Sequence, residues 1–408
     1  MTQAQSLLRN SDFLRLWAAQ FGSAIGSRIT RTALPMLALL LVDATPAQIA
    51  LLAACEVTPG LLVSLVAGGL ADRRARRPLL IGADLVRAAL ILTLPLLAAF
   101  QALAMWQLYL VAAGIGAAST LFAIVDNTFL PSLVAPQRLT EANARLEASD
   151  AVAEGIGPWA GGALVQLVGA PVALVIDAVS YLWSAALLFG IRTREAARRE
   201  AAPASLLADA AEGLRRCRAS PALGLLLGVE ALRGLSGGFL MALYVVIGLQ
   251  HVGIGPATLG LIIGIGGIGA FLGALAAPPL QAALGEGAAM RASLIFGQTV
   301  AMTVPLAILF PGAGVWLLIA GQLFGDAALV AYGILALSMR QRITPEQVLG
   351  RVNASFHLGA QSALLAGVLL AGGLATVLPM AAVVWTGVAI GFLAIPLILR
   401  IAPDTVQP

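Results

Sequence analysis

Long apolar runs alternate with short connections from one end of this chain to the other. A helix needs about 20 apolar residues to cross a bilayer, and at that length the sequence divides into about twelve spans: 13–42, 46–71, 79–100, 104–131, 143–168, 171–191, 221–250, 256–280, 288–310, 314–338, 351–374 and 379–400. The runs are rich in Leu, Ala and Gly and longer than the ten-residue alternating strands of a membrane barrel. In hydrocarbon a helix satisfies its backbone within its own segment. The chain is 60% hydrophobic and 11% charged, whereas a soluble domain carries roughly 25% charged residues. Mean hydropathy is +0.94. These properties predict an all-α membrane protein.

Charge placement supplies the topology. All 24 basic residues are arginine. Arg9 and Arg15 open the first span, and Arg73, Arg74, Arg76, Arg77 and Arg87 lie around the second connection. Arg138 and Arg145 mark the fourth, and Arg192, Arg194, Arg198, Arg199, Arg215, Arg216 and Arg218 the sixth. Arg291, Arg340, Arg342, Arg351 and Arg400 fall at later ends of the same parity. Odd-numbered connections carry none. The positive-inside rule then puts both termini and the arginine-bearing loops in the cytoplasm of a multi-pass protein of the cell (inner) membrane.

Several function classes are excluded by the same inventory. A Walker-type phosphate loop requires lysine, so a nucleotide-driven pump on this chain alone is ruled out, and no nucleic-acid partner is implied. Cys55 lies in a span and Cys217 in a cytoplasmic connection, which predicts no disulfide. His251 and His357 are too isolated for a metal site. No nucleophile or cofactor constellation marks an enzyme, and no cofactor is expected.

The segment 192–220 breaks the hydrophobic pattern. Within it Leu206, Leu207, Ala210, Ala211 and Leu214 fall on one helical face, opposite Asp209, Glu212, Arg215 and Arg216, as in a helix lying along a membrane surface. It separates a six-span half, 1–192, from a second, 221–408, with 193–220 as the linker. The halves echo each other weakly. Ala135-Pro136-Gln137-Arg138-Leu139 matches Thr344-Pro345-Glu346-Gln347-Val348 at an offset of about 209, as expected for parallel six-helix repeats.

Two motifs stand out. Gly68-Gly69-Leu70-Ala71-Asp72-Arg73-Arg74-Ala75-Arg76-Arg77 is a dense cationic turn joining the second and third spans. Gly155-Ile156-Gly157-Pro158-Trp159-Ala160-Gly161-Gly162 lies in the fifth. There Gly157 and Gly161 form a small-x-x-x-small face for close helix approach, and Pro158 removes a backbone hydrogen bond.

The first motif resembles the signature turn of the major facilitator superfamily, G-x-L-A-D-R-x-G-R-R/K, departing from it at Ala75. The second is similar to the G-P-x-x-G-G signature of the superfamily's exporters, with Ala153 where a glycine is often found. Ser11-Asp12-Phe13-Leu14-Arg15-Leu16-Trp17, Asp84-Leu85-Val86-Arg87 and Ile176-Asp177-Ala178-Val179-Ser180-Tyr181 resemble the macrolide-efflux and enterobactin-exporter branch. The resemblance implies twelve helices in two pseudo-symmetric six-helix bundles. It implies a cytoplasmic gate built on Gly68, Leu70, Asp72, Arg73, Arg76 and Arg77, with Asp72 capping the eleventh helix near Gly350 and Arg351. It also implies an exporter motif at Gly157, Pro158, Gly161 and Gly162. One departure limits it. Leu110 precedes Gly114-Ile115-Gly116-Ala117-Ala118 where the proton-antiporter motif has arginine, so a relay through that arginine cannot operate.

Ten charged residues fall inside the expected spans: Arg28, Arg31, Glu56, Asp126, Asp150, Glu154, Asp177, Glu230, Arg233 and Asp326. Each costs about 2.5–3.5 kcal/mol at a helix centre, so they must face a cavity or one another. Glu230 and Arg233 share a helical face and can pair. Asp150 and Glu154 set like charges four residues apart. Glu154, Glu230 and Asp326, near mid-membrane, are the first candidates for carrying a coupling proton, and Asp126 and Asp150 follow. Arg28, Arg31 and Arg233 complete the candidate cavity charges.

The function expected is secondary active export of amphipathic small molecules, with protons as the coupling ion and the bilayer as surroundings. A dedicated siderophore or metabolite exporter is the alternative within the same class. A membrane sensor or assembly partner without flux is the alternative outside it.

Overall fold

The computed structural model describes residues 7–73, 75–135, 138–193 and 206–401. Among them no strand occurs, and the chain runs as α1 (Ser11–Leu41), α2 (Pro46–Arg73), α3 (Arg76–Ala99), α4 (Met105–Leu133), α5 (Leu139–Val168), α6 (Ala170–Phe189), α7 (Leu206–Ala219) and α8 (Pro221–Val246). A π-helical turn, Ile247–Val252, continues α8, and α9 (Pro256–Leu284), α10 (Glu286–Ala301), α11 (Thr303–Leu309), α12 (Pro311–Ile343), α13 (Glu346–Leu374), α14 (Met380–Phe392) and α15 (Ala394–Leu399) follow. The chain is an all-α membrane protein, as its apolar periodicity implies.

Among the described residues, eleven stretches are long and apolar enough to cross a membrane. The twelfth expected span is α5, whose first sixteen residues carry Glu141, Arg145, Glu147, Asp150 and Glu154. Two expected spans are broken helices. Pro305 follows the end of α10 by four residues and Pro396 the end of α14 by four. A proline ring clashes with the carbonyl four residues earlier, which places each break where it is seen. Residues Gly169 (φ 86°) and Gly285 (φ 78°) take the left-handed backbone that favours glycine, and each turns the chain in a single residue, between α5 and α6 and between α9 and α10.

By contacts the chain divides into two compact units. Unit 1 comprises 1–44, 55–204 and 256–261; unit 2 comprises 45–54, 205–255 and 262–408. The core of unit 1 gathers Phe13, Leu16, Leu80, Phe129 and Leu188. That of unit 2 gathers Leu226, Met290, Leu335, Met339 and Val352.

Asp12 ties the start of α1 to the chain beyond α6. Its Oδ2 accepts from the backbone N–H of Arg192 (3.1 Å) and Thr193 (2.9 Å) and from the Thr193 hydroxyl (2.7 Å). Arg15 donates to its other oxygen at 3.0 Å and to the Gly190 carbonyl at 2.6 Å. Asp12→Ala leaves these donors without their charged acceptor, and hydrogen bonds to charged groups contribute about 1.5–3 kcal/mol. The expected result is a lower melting temperature of the purified protein, with Asp12→Glu retaining part of the loss.

Helix α7 forms in the linker; the side chains of Leu206, Leu207 and Ala210 on its expected apolar face lie outside the described residues. Of the side chains described there, Cys217 is 1% exposed, and a Cβ on Gly213 would overlap the Arg351 carbonyl of α13. Backbone approach at Gly213 therefore turns the Gly213–Cys217 edge inward against α13, with Leu214 half-buried and Ala211 exposed.

Candidate functional site

Within unit 1, α1 and α5 meet along a seam of glycine and charge. A Cβ on Gly157 would overlap the Cβ of Arg28 and lie 3.0 Å from its Cγ. One on Gly161 would lie 3.1 Å from the Ile29 Cα. The small residues of the second sequence motif thus let α5 lie against the α1 backbone, and Pro158 is carried inside α5 without ending it. Gly162 faces the opposite way, where its Cβ would lie 2.9 Å from the Cα of Gly260 in the first turns of α9. Beside it Gln166 accepts the Ala257 N–H at 3.1 Å.

Arg28 holds the polar part of this seam. Its Nε lies 2.7 Å from Glu154 Oε2, and its terminal nitrogen lies 3.1 Å from Asp150 Oδ2. A guanidinium sits between the two carboxylates, so the like charges noted in the sequence are bridged by a cation. Further along, Trp17 Nε1 donates to Ser149 Oγ at 2.6 Å. Arg31 is exposed, and Glu56 lies half-buried on α2.

The cationic turn is described in part. Gly68, Leu70, Asp72 and Arg73 close α2, but their side chains lie outside the described residues, as does Arg74 altogether, and so does the expected approach of Asp72 to Gly350 and Arg351. Arg76 and Arg77 open α3. Arg77 Nε donates to the Leu188 carbonyl at 2.9 Å and a second nitrogen to the Phe189 carbonyl. Its guanidinium also lies 5.4 Å from the Phe189 ring centre. A cation at the carbonyl end of α6 complements both its orphan acceptors and its dipole.

Deeper in unit 1 lies a group that the loop-by-loop reading of arginines misplaced. Arg87 is 4% exposed and enclosed between helices, not at a connection. Its guanidinium lies between the Phe122 ring (4.4 Å) and the Tyr181 ring (4.3 Å) and pairs with Asp84 one turn earlier. Asp177 on α6 is fully buried and accepts from Ser180 at 3.1 Å. Tyr181 hydrogen-bonds Ser27 of α1 at 3.0 Å. Asp126 of α4 accepts from Gln20 of α1 at 2.5 Å. The Asp84-x-x-Arg87 spacing was the signal that could have located this group, because residues three apart share a helical face.

Unit 2 has its own charges. Arg233 donates to Glu230 at 3.1 Å, the pairing the spacing suggests, and lies 4.2 Å from the Tyr332 ring centre. Asp326 of α12 faces α9, where a Cβ on Gly266 would overlap its carboxylate. Arg340 lies 4.4 Å from the Phe356 ring centre. Among the described residues no cluster of His, Cys, Asp or Glu has the form of a metal site. The structure therefore joins Arg28, Asp150 and Glu154, joins Glu230 and Arg233, and sets Asp126 and Asp326 elsewhere.

A family profile described as transmembrane secretion effector matches residues 2–404. An uncharacterized MFS-type transporter, y4rN, of Sinorhizobium fredii (strain NBRC 101917 / NGR234) is 29% identical over 282 residues. The match spans 66% of each chain, just under two thirds of that relative's length. Among solved structures, a bacterial homologue of the iron transporter ferroportin in its inward-facing state superposes with TM-score 0.80 at 20% identity, over 97% of this chain and 99% of that one. A point mutant of the nucleoside transporter NupG gives 0.80 at 11% identity, over 96% and 99%. A bacterial homologue of the human lysosomal transporter Spinster, unoccupied and inward-facing, gives 0.70 at 14%, over 97% of each. At these identities the likeness is one of fold.

Proposed function

Because the chain belongs to the transmembrane secretion effector family of the major facilitator superfamily, and so is a multi-pass membrane transporter, we propose that it exports amphipathic small molecules by alternating access, with protons as the coupling ion. The observation that carries the export direction is the α1–α5 seam. The exporter-type glycines at Gly157 and Gly161 bring α5 onto α1 where Arg28 meets Asp150 and Glu154. Charges inside a spanning segment cost several kcal/mol on insertion scales, and a path for polar or protonated species is what warrants keeping them. Glu154, Glu230 and Asp326 remain the leading coupling carboxylates, followed by Asp126 and Asp150. Gly68, Leu70, Asp72, Arg73, Arg76 and Arg77 are the proposed cytoplasmic gate, with both termini on that side of the inner membrane.

A host lacking its own efflux pumps, challenged with dyes, macrolides and other cationic and neutral drugs, tests the reading. Expression of the protein is expected to raise resistance to several of them, and Asp72→Asn at equal membrane level is expected to abolish the gain. In proteoliposomes, replacing Glu154, Glu230, Asp326, Asp126 or Asp150 in turn by the amide is expected to uncouple transport from an imposed proton gradient in at least one case. If all five amides transport as the parent does, proton coupling through them is wrong. No resistance despite verified expression overturns multidrug export and redirects the search to a dedicated metabolite or siderophore.

A further inference from the structure

The buried group of unit 1 includes two aspartates that are not among the carboxylates proposed above, Asp84 and Asp177, and its charge count does not balance. Asp84, Asp177 and Arg87 are 0%, 0% and 4% exposed. Arginine keeps its charge under all ordinary conditions, so ionising both aspartates leaves an enclosed net negative charge. An uncompensated charge in low dielectric costs several kcal/mol, and a carboxylate relieves that cost by binding a proton.

Geometry decides which one. Arg87 pairs with Asp84. Asp177 is served only by hydroxyls, Ser180 at Oδ1 and Thr30 nearby; its Oδ2, like that of Asp84, is enclosed and makes no close hydrogen bond. Among the described residues the surroundings supply no second cation. From α3 the charged groups facing Asp177 are Asp84 and Arg87. From α1 the hydroxyl of Thr30 and the Ser27–Tyr181 pair lie nearby, while Arg28 is engaged with Asp150 and Glu154 of α5. Asp126 of α4 is another carboxylate, held by Gln20. Gly26 seals the site on the α1 side, since a Cβ there would overlap both Ser180 Oγ and Asp177 Oδ1.

The geometry points to Asp177 as a proton-binding site of the transporter, held neutral through Oδ2 while Arg87 is committed to Asp84. The site has a second state built in. Arg87 Nε is buried without a hydrogen-bond partner, so the guanidinium has a donor to spare for Asp177. When Asp177 gives its proton to water, the new carboxylate can recruit Arg87, and Asp84 is left to take up a proton in turn. One proton is lost and one gained, and the buried charge stays constant. This deepens the proton-coupled reading by naming a station within unit 1.

Infrared difference spectroscopy on the purified protein in nanodiscs tests it without any substrate. At neutral pH the parent is expected to show the carbonyl band of a protonated carboxyl, removed in Asp177→Asn and shifted in Asp177→Glu. Glu154→Gln and Asp326→Asn are expected to leave that band in place. A band that persists unchanged in Asp177→Asn overturns the assignment. Stability gives a second reading. An amide mimics a neutral carboxyl, so Asp177→Asn is expected to fold and melt close to the parent, whereas Asp84→Asn, which mimics the second state, is expected to hold Asp177 ionised beside Arg87 and so to lose the carbonyl band as well. Failure of Asp177→Asn to fold also overturns the proposal. Neither measurement involves flux, so a failure here leaves export itself standing.

Discussion

Arg87→Met is expected to lower the stability of unit 1 by about 3–5 kcal/mol, the usual cost of removing one partner from a buried ion pair. Asp84, with no exposed surface, is left to bind a proton or to carry an unbalanced charge. The substitution also removes two stacked contacts, to Phe122 and Tyr181 at 4.4 and 4.3 Å, each contributing about 0.5–2 kcal/mol depending on desolvation. The measurement is the melting transition in detergent or nanodiscs, together with the yield of monodisperse protein. The double variant Arg87→Met, Asp84→Asn separates the contributions. With the orphaned carboxylate gone, the electrostatic part is expected to return, and the residual loss reports the aromatic stacking. If the double variant is no better than the single one, the pairing with Asp84 is not what holds Arg87 in place.

The second large effect lies in unit 2, where α8 and α13 cross on glycine. A Cβ added to Gly238 would lie 2.7 Å from the Val368 nitrogen and 2.9 Å from the Gly367 carbonyl carbon, and one on Gly367 would lie 2.9 Å from the Leu235 carbonyl carbon. These obstacles are backbone and cannot rotate away. Gly238→Val is therefore expected to push the helices apart. Overpacking of this kind typically costs about 1–3 kcal/mol and sometimes more, and the expected readout is loss of folded protein from the membrane fraction. The neighbouring position supplies the control. Gly237 has nothing within 4 Å of its Cβ direction, so Gly237→Ala is expected to be neutral, or to gain up to about 1 kcal/mol from helix propensity. Equal damage from both substitutions would mean that the crossing is not set by glycine.

Much of the fold was legible because a bilayer leaves so few options. Apolar runs of adequate length had to become helices, and the expected spans fall on the observed helices or on pairs such as α10 with α11. What periodicity could not supply was the effect of single residues within a span. Pro305 and Pro396 interrupt their helices, while Pro35, Pro95 and Pro158 are carried inside theirs, because neighbouring packing decides whether the lost bond can be absorbed. The site was legible in pairs and illegible in its interior. Glu230 with Arg233, and Gly157 with Gly161, announced themselves by spacing. Arg87 did not, because an arginine near a cationic loop reads as one more loop charge, and only the convergence of α3, α4 and α6 shows it wedged between two aromatic rings. Tyr181 was hidden for the same reason, since a lone tyrosine in an apolar run carries no signal of what lies against its face.

The α1–α5 seam has a consequence for how such a segment can vary. Asp150, Glu154, Gly157 and Gly161 follow at intervals of about four, three and four, close to a 3.5-residue repeat that keeps one stripe facing one partner. The stripe serves charge at one end and close contact at the other, both against the short stretch of α1 from Arg28 to Thr32. Inserting or deleting a single residue between Glu154 and Gly157 would rotate one half against the other by about 100° and place either the carboxylates or the glycines on the wrong side. Single substitutions off the stripe can be absorbed one at a time along this helix, but a larger residue at Gly157 or a change of length cannot. The register of this helix is thus a tighter constraint than its composition away from the stripe.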